Sequence, residues 1–268
     1  DVLSRDLTEV QTEDQRAAIW HGFIDQVHKP AERGLTLALT RYFRGAKKRY
    51  ADRAEQALDP QKSVKKSISD TTLAMILDEL GEKEKLKKAI GSRLLLAIKR
   101  AFAITARQMR LDLEFDEMAA NADASLDLCV ARVIGTTHKD LTLLVTTMLD
   151  DGDTVADIAS AIRASKRFSN SEALLIARTE TTRATSQGAV RAMSSALNEG
   201  VKLQKEWLTS RDGNVREAHQ IIDGQIVDVD ANFNSMGSFA AHPGEFGSAA
   251  LDCNCRCTVI PKLAGRQS

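Results

Sequence analysis

The rare, reactive side chains of this sequence gather in its last third. Cys253, Cys255 and Cys257 fall close together, and Trp207, Asp212-Gly213, Arg216, His219, Asp223-Gly224 and His242-Pro243-Gly244 precede them. Thiolates and imidazole are preferred zinc ligands, so His219, Cys253, Cys255 and Cys257 make a candidate Cys₃His set for a structural zinc. Side chains alternate along an extended segment, which would put the three sulfurs on one side. Familiar zinc sites separate their cysteines by about two to four residues, so a one-residue spacing demands a kinked backbone. Two other readings stand beside ligation: reduced thiols that fill a small core, and a disulfide in an oxidised particle. Cys129, alone on an apolar helix face, reads as core.

His219 also keeps company with Asp212, Arg216 and Asp223. A carboxylate that orients an imidazole base belongs to hydrolases and metal-dependent nucleases. The ordinary counterpart is a histidine that bonds backbone groups in a turn-rich module. Neither a nucleophile elbow, a phosphate-cradling loop nor a two-histidine zinc-protease motif accompanies it. Arg178, Glu180 and Arg183 share one helix, and Glu180 and Arg183 are a turn apart, which favours a local structural ion pair over catalysis. Basic residues cluster at Arg41, Arg44, Lys47, Lys48, Arg49 and Arg53, at Lys62, Lys65 and Lys66, and from Lys83 to Lys88. They suit salt-sensitive phosphate contacts with DNA, with Arg41, Arg44, Lys47 and Lys48 as candidates, or simply a solvated helix face balanced by nearby acids.

The elements that must position these groups follow from composition. Lys and Arg number 37 and so do Asp and Glu, so no global field draws the chain to nucleic acid or anionic membrane. Apolar residues make up 43% and aromatics 4%, a composition suited to helices packed through small and aliphatic side chains. Neither a long apolar run nor a signal-peptide pattern is present, so synthesis in a cytoplasm without a membrane partner is expected. Asp1 opens the sequence without a Met, which fits a processed chain, the C-terminal part of a longer polypeptide, or a missing leader.

Periodicity predicts a short helix over 14–28 broken at Pro30, and a long one to Leu58 with Leu35, Leu39, Tyr42, Phe43, Ala46, Tyr50, Ala54 and Ala57 on its buried stripe. Pro60 marks a stop. Helical spacing resumes at Leu73–Leu80, breaks near Gly81, returns through Leu86 to Met109, and continues less regularly from Leu111 to Val133. Leu141–Leu149 is a separate apolar stretch ending at Asp150-Asp151-Gly152. Asp153-Thr154 caps a helix through Ile162, and Ser169 or Asn170 caps the next. That helix carries Leu174, Ala177, Thr181, Ala184, Gly188 and Ala192 on one side, allowing close approach by another backbone. After Gly200 the pattern alternates: Val201–Trp207, Gln225–Val229 and Cys257–Ile260 read as strands, the last stopped by Pro261, and Val215–Ile222 as a short helix. The expected fold is therefore mainly α. An elongated helical part over 1–199 precedes a small α+β module with a short antiparallel sheet over 200–268.

In order as well as content, residues from about 150 to 262 resemble the phage Mu F-like, or SPP1 gp7-like, head morphogenesis family of minor capsid proteins. The positions that carry the resemblance are Gly152 through Ile162, Ala177-Arg178-Thr179-Glu180, Trp207, Asp212, Arg216, His219, Asp223-Gly224, Pro243-Gly244 and Asn254-Cys255-Arg256-Cys257-Thr258. Cys253 is additional to the family's paired cysteines, and Glu245-Phe246 stands where an Asp-Pro often follows. Residues 1–150 match more loosely, through Trp20, Phe23, Pro30-Ala31-Glu32 and Phe43. The resemblance implies a structural minor head protein of a tailed phage or prophage, present in few copies in the virion at the portal vertex or capsid interior. It would assemble in the bacterial host cytoplasm and act in head morphogenesis, DNA packaging or DNA delivery by binding. Its partners would be a portal protein, or a portal-fused upstream domain, and locally the phage double-stranded DNA. Two rivals come from other classes: a nuclease or transferase that uses Glu180, Asp212, His219 and Asp223, and a cytoplasmic DNA-binding adaptor.

Overall fold

A computed structural model describes residues 12–58, 68–116 and 122–263. Lys62, Lys65 and Lys66, and the stop at Pro60, lie outside them. The helices are α1 (Glu13–Phe23), α2 (Lys29–Ala57), α3 (Asp70–Leu77), α4 (Glu79–Gln108), α5 (Ala122–Asp151), α6 (Val155–Ala164) and α7 (Asn170–Asn198). Strands β1 (Leu203–Leu208), β2 (Ile226–Asp228) and β5 (Thr258–Leu263) follow. So do the hairpin β3 (Phe233–Ser235) and β4 (Ser238–Ala240), and two single turns of helix, α8 (Glu217–Gln220) and α9 (Ala249–Asp252). The chain is mainly α with a small antiparallel sheet towards its C-terminus.

The predicted helices form, with instructive differences at their ends. Pro30 does not break the chain. A π-helical turn over Ile24–His28 links α1 to α2, and its wider spacing takes Lys29 N–H back to Ile24, so the missing N–H of Pro30 falls in a first turn. The break expected at Gly81 sits at Asp78, in left-handed conformation at φ 43°, where its carboxylate accepts from Gly81 N–H and starts α4. Leu141–Leu149 is the end of α5 and not a separate element. The residues from Leu111 to Asp116 are irregular, because Arg110 at φ 57° closes α4 with a Leu111 N–H to Ala106 carbonyl bond. Thr154 caps α6 in a capping box with Asp157, and Ser169 caps α7.

Two compact units emerge. One takes its described residues from Asp1–Leu35, Arg93–Ala122 and Ala177–Ser268, the other from Thr36–Ser92 and Asp123–Ile176. In the second, Leu39, Tyr42, Phe43, Ala46, Tyr50 and Ala54 of the α2 stripe are buried as the periodicity demands and Ala57 is half-buried, and Tyr50 stacks on Phe168 while its hydroxyl meets His138 Nε2 at 3.0 Å. Glu82, fully buried, joins Tyr42, Arg49 and Arg53 at 2.7–3.2 Å. Two of the basic side chains in the first cluster are thereby committed to structure. Arg41, Arg44 and Lys48 are exposed and Lys47 is half-buried.

The first unit holds the sheet, in the order β2-β1-β5 with both pairings antiparallel. β1 is buried on both faces. Leu203 and Trp207 join Ala189, Met193 and Ala196 of α7, whereas Leu208 and Ile260 join Ile19, Trp20 and Phe23 of α1. β5 runs through Pro261 to Leu263 and does not stop there, because an edge strand tolerates a residue that cannot donate. The β3–β4 hairpin was invisible to alternation. Its two-residue turn, Met236-Gly237, has φ of 51° and 84°, and only Gly237 is a residue that advertises such a turn. On α7, Gly188 lets the helix touch α4: a β-carbon there would lie 2.3 Å from the Ile98 carbonyl oxygen.

Candidate functional site

The segment that leads into β5 carries the cysteines. α9 ends at Asp252, and Asn254 takes a left-handed φ of 59° that interrupts the alternation. Cys255 and Cys257 then enter the core behind Trp207, at 2% and 3% exposure, while Cys253 stays half-buried and outside the cluster. The expected four-residue set is thus reduced to three by one positive φ. His219, from α8, is 1% exposed and sets Nδ1 3.6 Å from Cys255 Sγ and 3.5 Å from Cys257 Sγ. Among the described residues this is the group of three His, Cys, Asp or Glu side chains whose ligand atoms lie within 4.8 Å of one another.

Aromatic rings wall the cluster. Phe246 stacks on the His219 imidazole and Trp207 meets it edge-on, with Phe233 against Trp207. Among the described residues the buried Nε2 of His219 finds no hydrogen-bond partner, and Nδ1 is the ring nitrogen that meets the two sulfurs. Cys257 N–H points to Cys255 Sγ at 3.5 Å. The two thiols are driven apart in acidity. The hydrogen bond from Cys257, against burial and with help from His219, pulls Cys255 down to about 5, while burial and then Cys255 push Cys257 well up.

Around this core, the residues singled out from the sequence are pins. Arg178 pairs with Glu32 at 3.1 Å and reaches the Asn254 side chain. Arg183 binds Glu180, the Gly244 carbonyl and Asp252, and Asp252 in turn accepts from Phe246 and Gly247 N–H at 3.0 Å each. The local Glu180–Arg183 pair is present and also holds the Pro243-Gly244 loop. Arg216 donates to the Cys253 carbonyl. Asp212 caps its own turn through Asn214 N–H and meets Arg256 at 2.6 Å. Asp223 accepts from Thr209 N–H and from Arg16, each at 2.9 Å, and from Arg211 at 3.1 Å. Burial works to raise its carboxyl, but the Thr209 and Arg211 bonds and the Arg16 charge hold it below 3.8. Gly224, at φ 77°, turns so that its N–H reaches the Trp207 carbonyl.

The structure therefore does not gather Asp212, His219 and Asp223. Each has separate partners, and the open depression beside Asp223, lined by Thr209, Ser210, Arg211 and Gln220 among others, excludes His219. Sequence reasoning missed Arg16, Thr182 and Lys205. Thr182 bonds the Cys255 carbonyl and meets His28 Nε2 at 3.0 Å, and Trp20 donates to the Arg256 carbonyl at 3.0 Å, so α1 and α7 clamp the cysteine segment. Lys205 is fully buried, donates to the Ala241 carbonyl at 2.8 Å, and is brought down to about 8 by burial. No local spacing announces such long-range partners; an arginine or lysine within an apolar stripe is the one available signal.

Residues 139–260 match the family described as Phage Mu protein F like protein. The chain is 38% identical over 127 residues to a protein of Enterococcus faecalis named NAD(+)--arginine ADP-ribosyltransferase EFV, covering 47% of this chain and 26% of that one. It is 33% identical over 115 residues to Minor head protein GP7 of Bacillus phage SPP1, covering 42% of this chain and 37% of that one. The chain thus spans about a quarter and somewhat over a third of these relatives. No solved structure matches it.

Proposed function

We propose that this chain, residues 139–260 of which match the family described as Phage Mu protein F like protein, is a minor head component of a tailed phage or prophage that acts at the portal vertex by binding. The carrying observation is that Arg178, Glu180, Trp207, Asp212, Arg216, Asp223 and Gly224 all serve as internal pins of one packed unit. Their arrangement supports a structural role for these residues. The unit is compact enough for a head to incorporate, and the remaining helices are the proposed docking faces. Arg41, Arg44, Lys47 and Lys48, on one helix of the second unit, are the proposed contacts to packaged double-stranded DNA. Co-expression with the portal protein of the same phage tests the reading. Co-purification supports it, and failure to associate with full-length portal in low salt counts against it.

One observation favours a second reading. The similarity to a protein named as an arginine ADP-ribosyltransferase keeps a transferase in play, with Asp212, His219 or Asp223 as its polar groups. Transfer of labelled ADP-ribose from NAD⁺ to an arginine acceptor, abolished by Asp223→Asn, would establish it. The binding account expects no transfer above a blank.

A further inference from the structure

We propose that His219 Nδ1, Cys255 Sγ and Cys257 Sγ bind one zinc ion, a three-ligand protein site in the core of the first unit. In a tetrahedral zinc site with Zn–S of about 2.3 Å and Zn–N of about 2.0–2.1 Å, the sulfur-to-nitrogen edge is about 3.6 Å. The two edges here are 3.6 and 3.5 Å. A thiol hydrogen bond gives a similar distance, but Nδ1 has one lone pair, or one proton, in the ring plane. One hydrogen bond accounts for one sulfur; an ion on that lone pair accounts for both.

Charge points the same way. Two thiolates and a neutral imidazole cancel the ion's two positive charges, so the complex enters the shell of Trp207, Phe233 and Phe246 without a net buried charge. The Cys257 N–H directed at Cys255 Sγ is a second-layer bond of the kind that orients a ligand thiolate. The close spacing is also met. Asn254 kinks the backbone before Cys255, and both ligands precede the regular strand that starts at Thr258. Cys253 is excluded by the same kink, so the fourth position belongs to a water or another outside donor.

The full chain, purified without chelator, should contain about one zinc by elemental analysis. Cys255→Ser, Cys257→Ser and His219→Ala should each lower it at least tenfold, and Cys253→Ser should leave it in place. A folding defect in those variants is bypassed on the unaltered protein by thiol labelling resolved peptide by peptide. Cys255 and Cys257 should react only after a strong chelator is added. A chain that neither carries zinc nor takes it up at micromolar concentration overturns the proposal. So does equal labelling of the two cysteines with and without chelator, or zinc content that survives loss of both.

Discussion

Gly188 offers the sharpest test of how the helices meet. In Gly188→Ala the new β-carbon would sit 2.3 Å from the Ile98 carbonyl oxygen, 3.1 Å from its carbon and 3.0 Å from the Ala101 β-carbon. The first distance is about 1 Å inside van der Waals contact and the obstacle is backbone, so α7 and α4 must separate. Overpacking of this kind costs about 1–3 kcal/mol, here at the upper end. Alanine's better helix propensity returns about 1 kcal/mol, leaving a net loss of about 2 kcal/mol. At roughly 2–4 °C per kcal/mol for a chain of this size, the midpoint should fall by about 4–8 °C. Both tryptophans, Trp20 and Trp207, belong to the unit that holds Gly188, so their fluorescence reads this loss directly. Gly135, mid-helix in α5, has nothing among the described residues within 4 Å of its would-be β-carbon, so Gly135→Ala should stabilise by up to about 1 kcal/mol by circular dichroism. A neutral or stabilising Gly188→Ala would refute the close approach.

Three further outcomes follow from the charged groups. Burial, against the pull of Glu32, depresses His28 from 6.5 to about 4, so it stays neutral when folded; its stability contribution is complete above pH 6.5 and is lost as pH falls towards 4. The loss amounts to about 3 kcal/mol, so the fall in urea-unfolding stability between pH 7.5 and 4.5 should be smaller in His28→Asn than in the parent chain, and an equal fall would contradict it. Glu82→Ala strands Arg49 and Arg53, which keep some solvent access, and should cost the second unit about 3 kcal/mol by denaturant titration; a loss under 1 kcal/mol would contradict the buried network. Replacing Arg41, Arg44 and Lys48 by glutamate should reduce the slope of log affinity for DNA against log salt by about 2–3, whereas an unchanged slope would move the contact elsewhere.

Local patterns carried much of this fold. The stripe from Leu35 to Ala54, the caps at Thr154 and Ser169, the small face of α7 and the alternation through Trp207 all depend on neighbours close in sequence, so they are legible. Where the expectations slipped, a backbone torsion or a distant partner decided. The π-turn before Pro30, the left-handed Asp78, the Met236-Gly237 turn and the edge position that admits Pro261 have no unique spelling. The same holds in the candidate site. The scarcity of Cys and His pointed to His219, Cys255 and Cys257, but the positive φ of Asn254 set Cys253 aside, and Arg16 and Thr182 join the network from far away in the chain.

The account's central claim is that this chain is a built-in part of a phage head. Its most direct test is mass spectrometry of density-purified particles from the encoding phage or induced prophage, followed by asymmetric reconstruction. The account predicts a few copies per particle, with density confined to the portal vertex. Particles that are complete and infectious without the chain would contradict it.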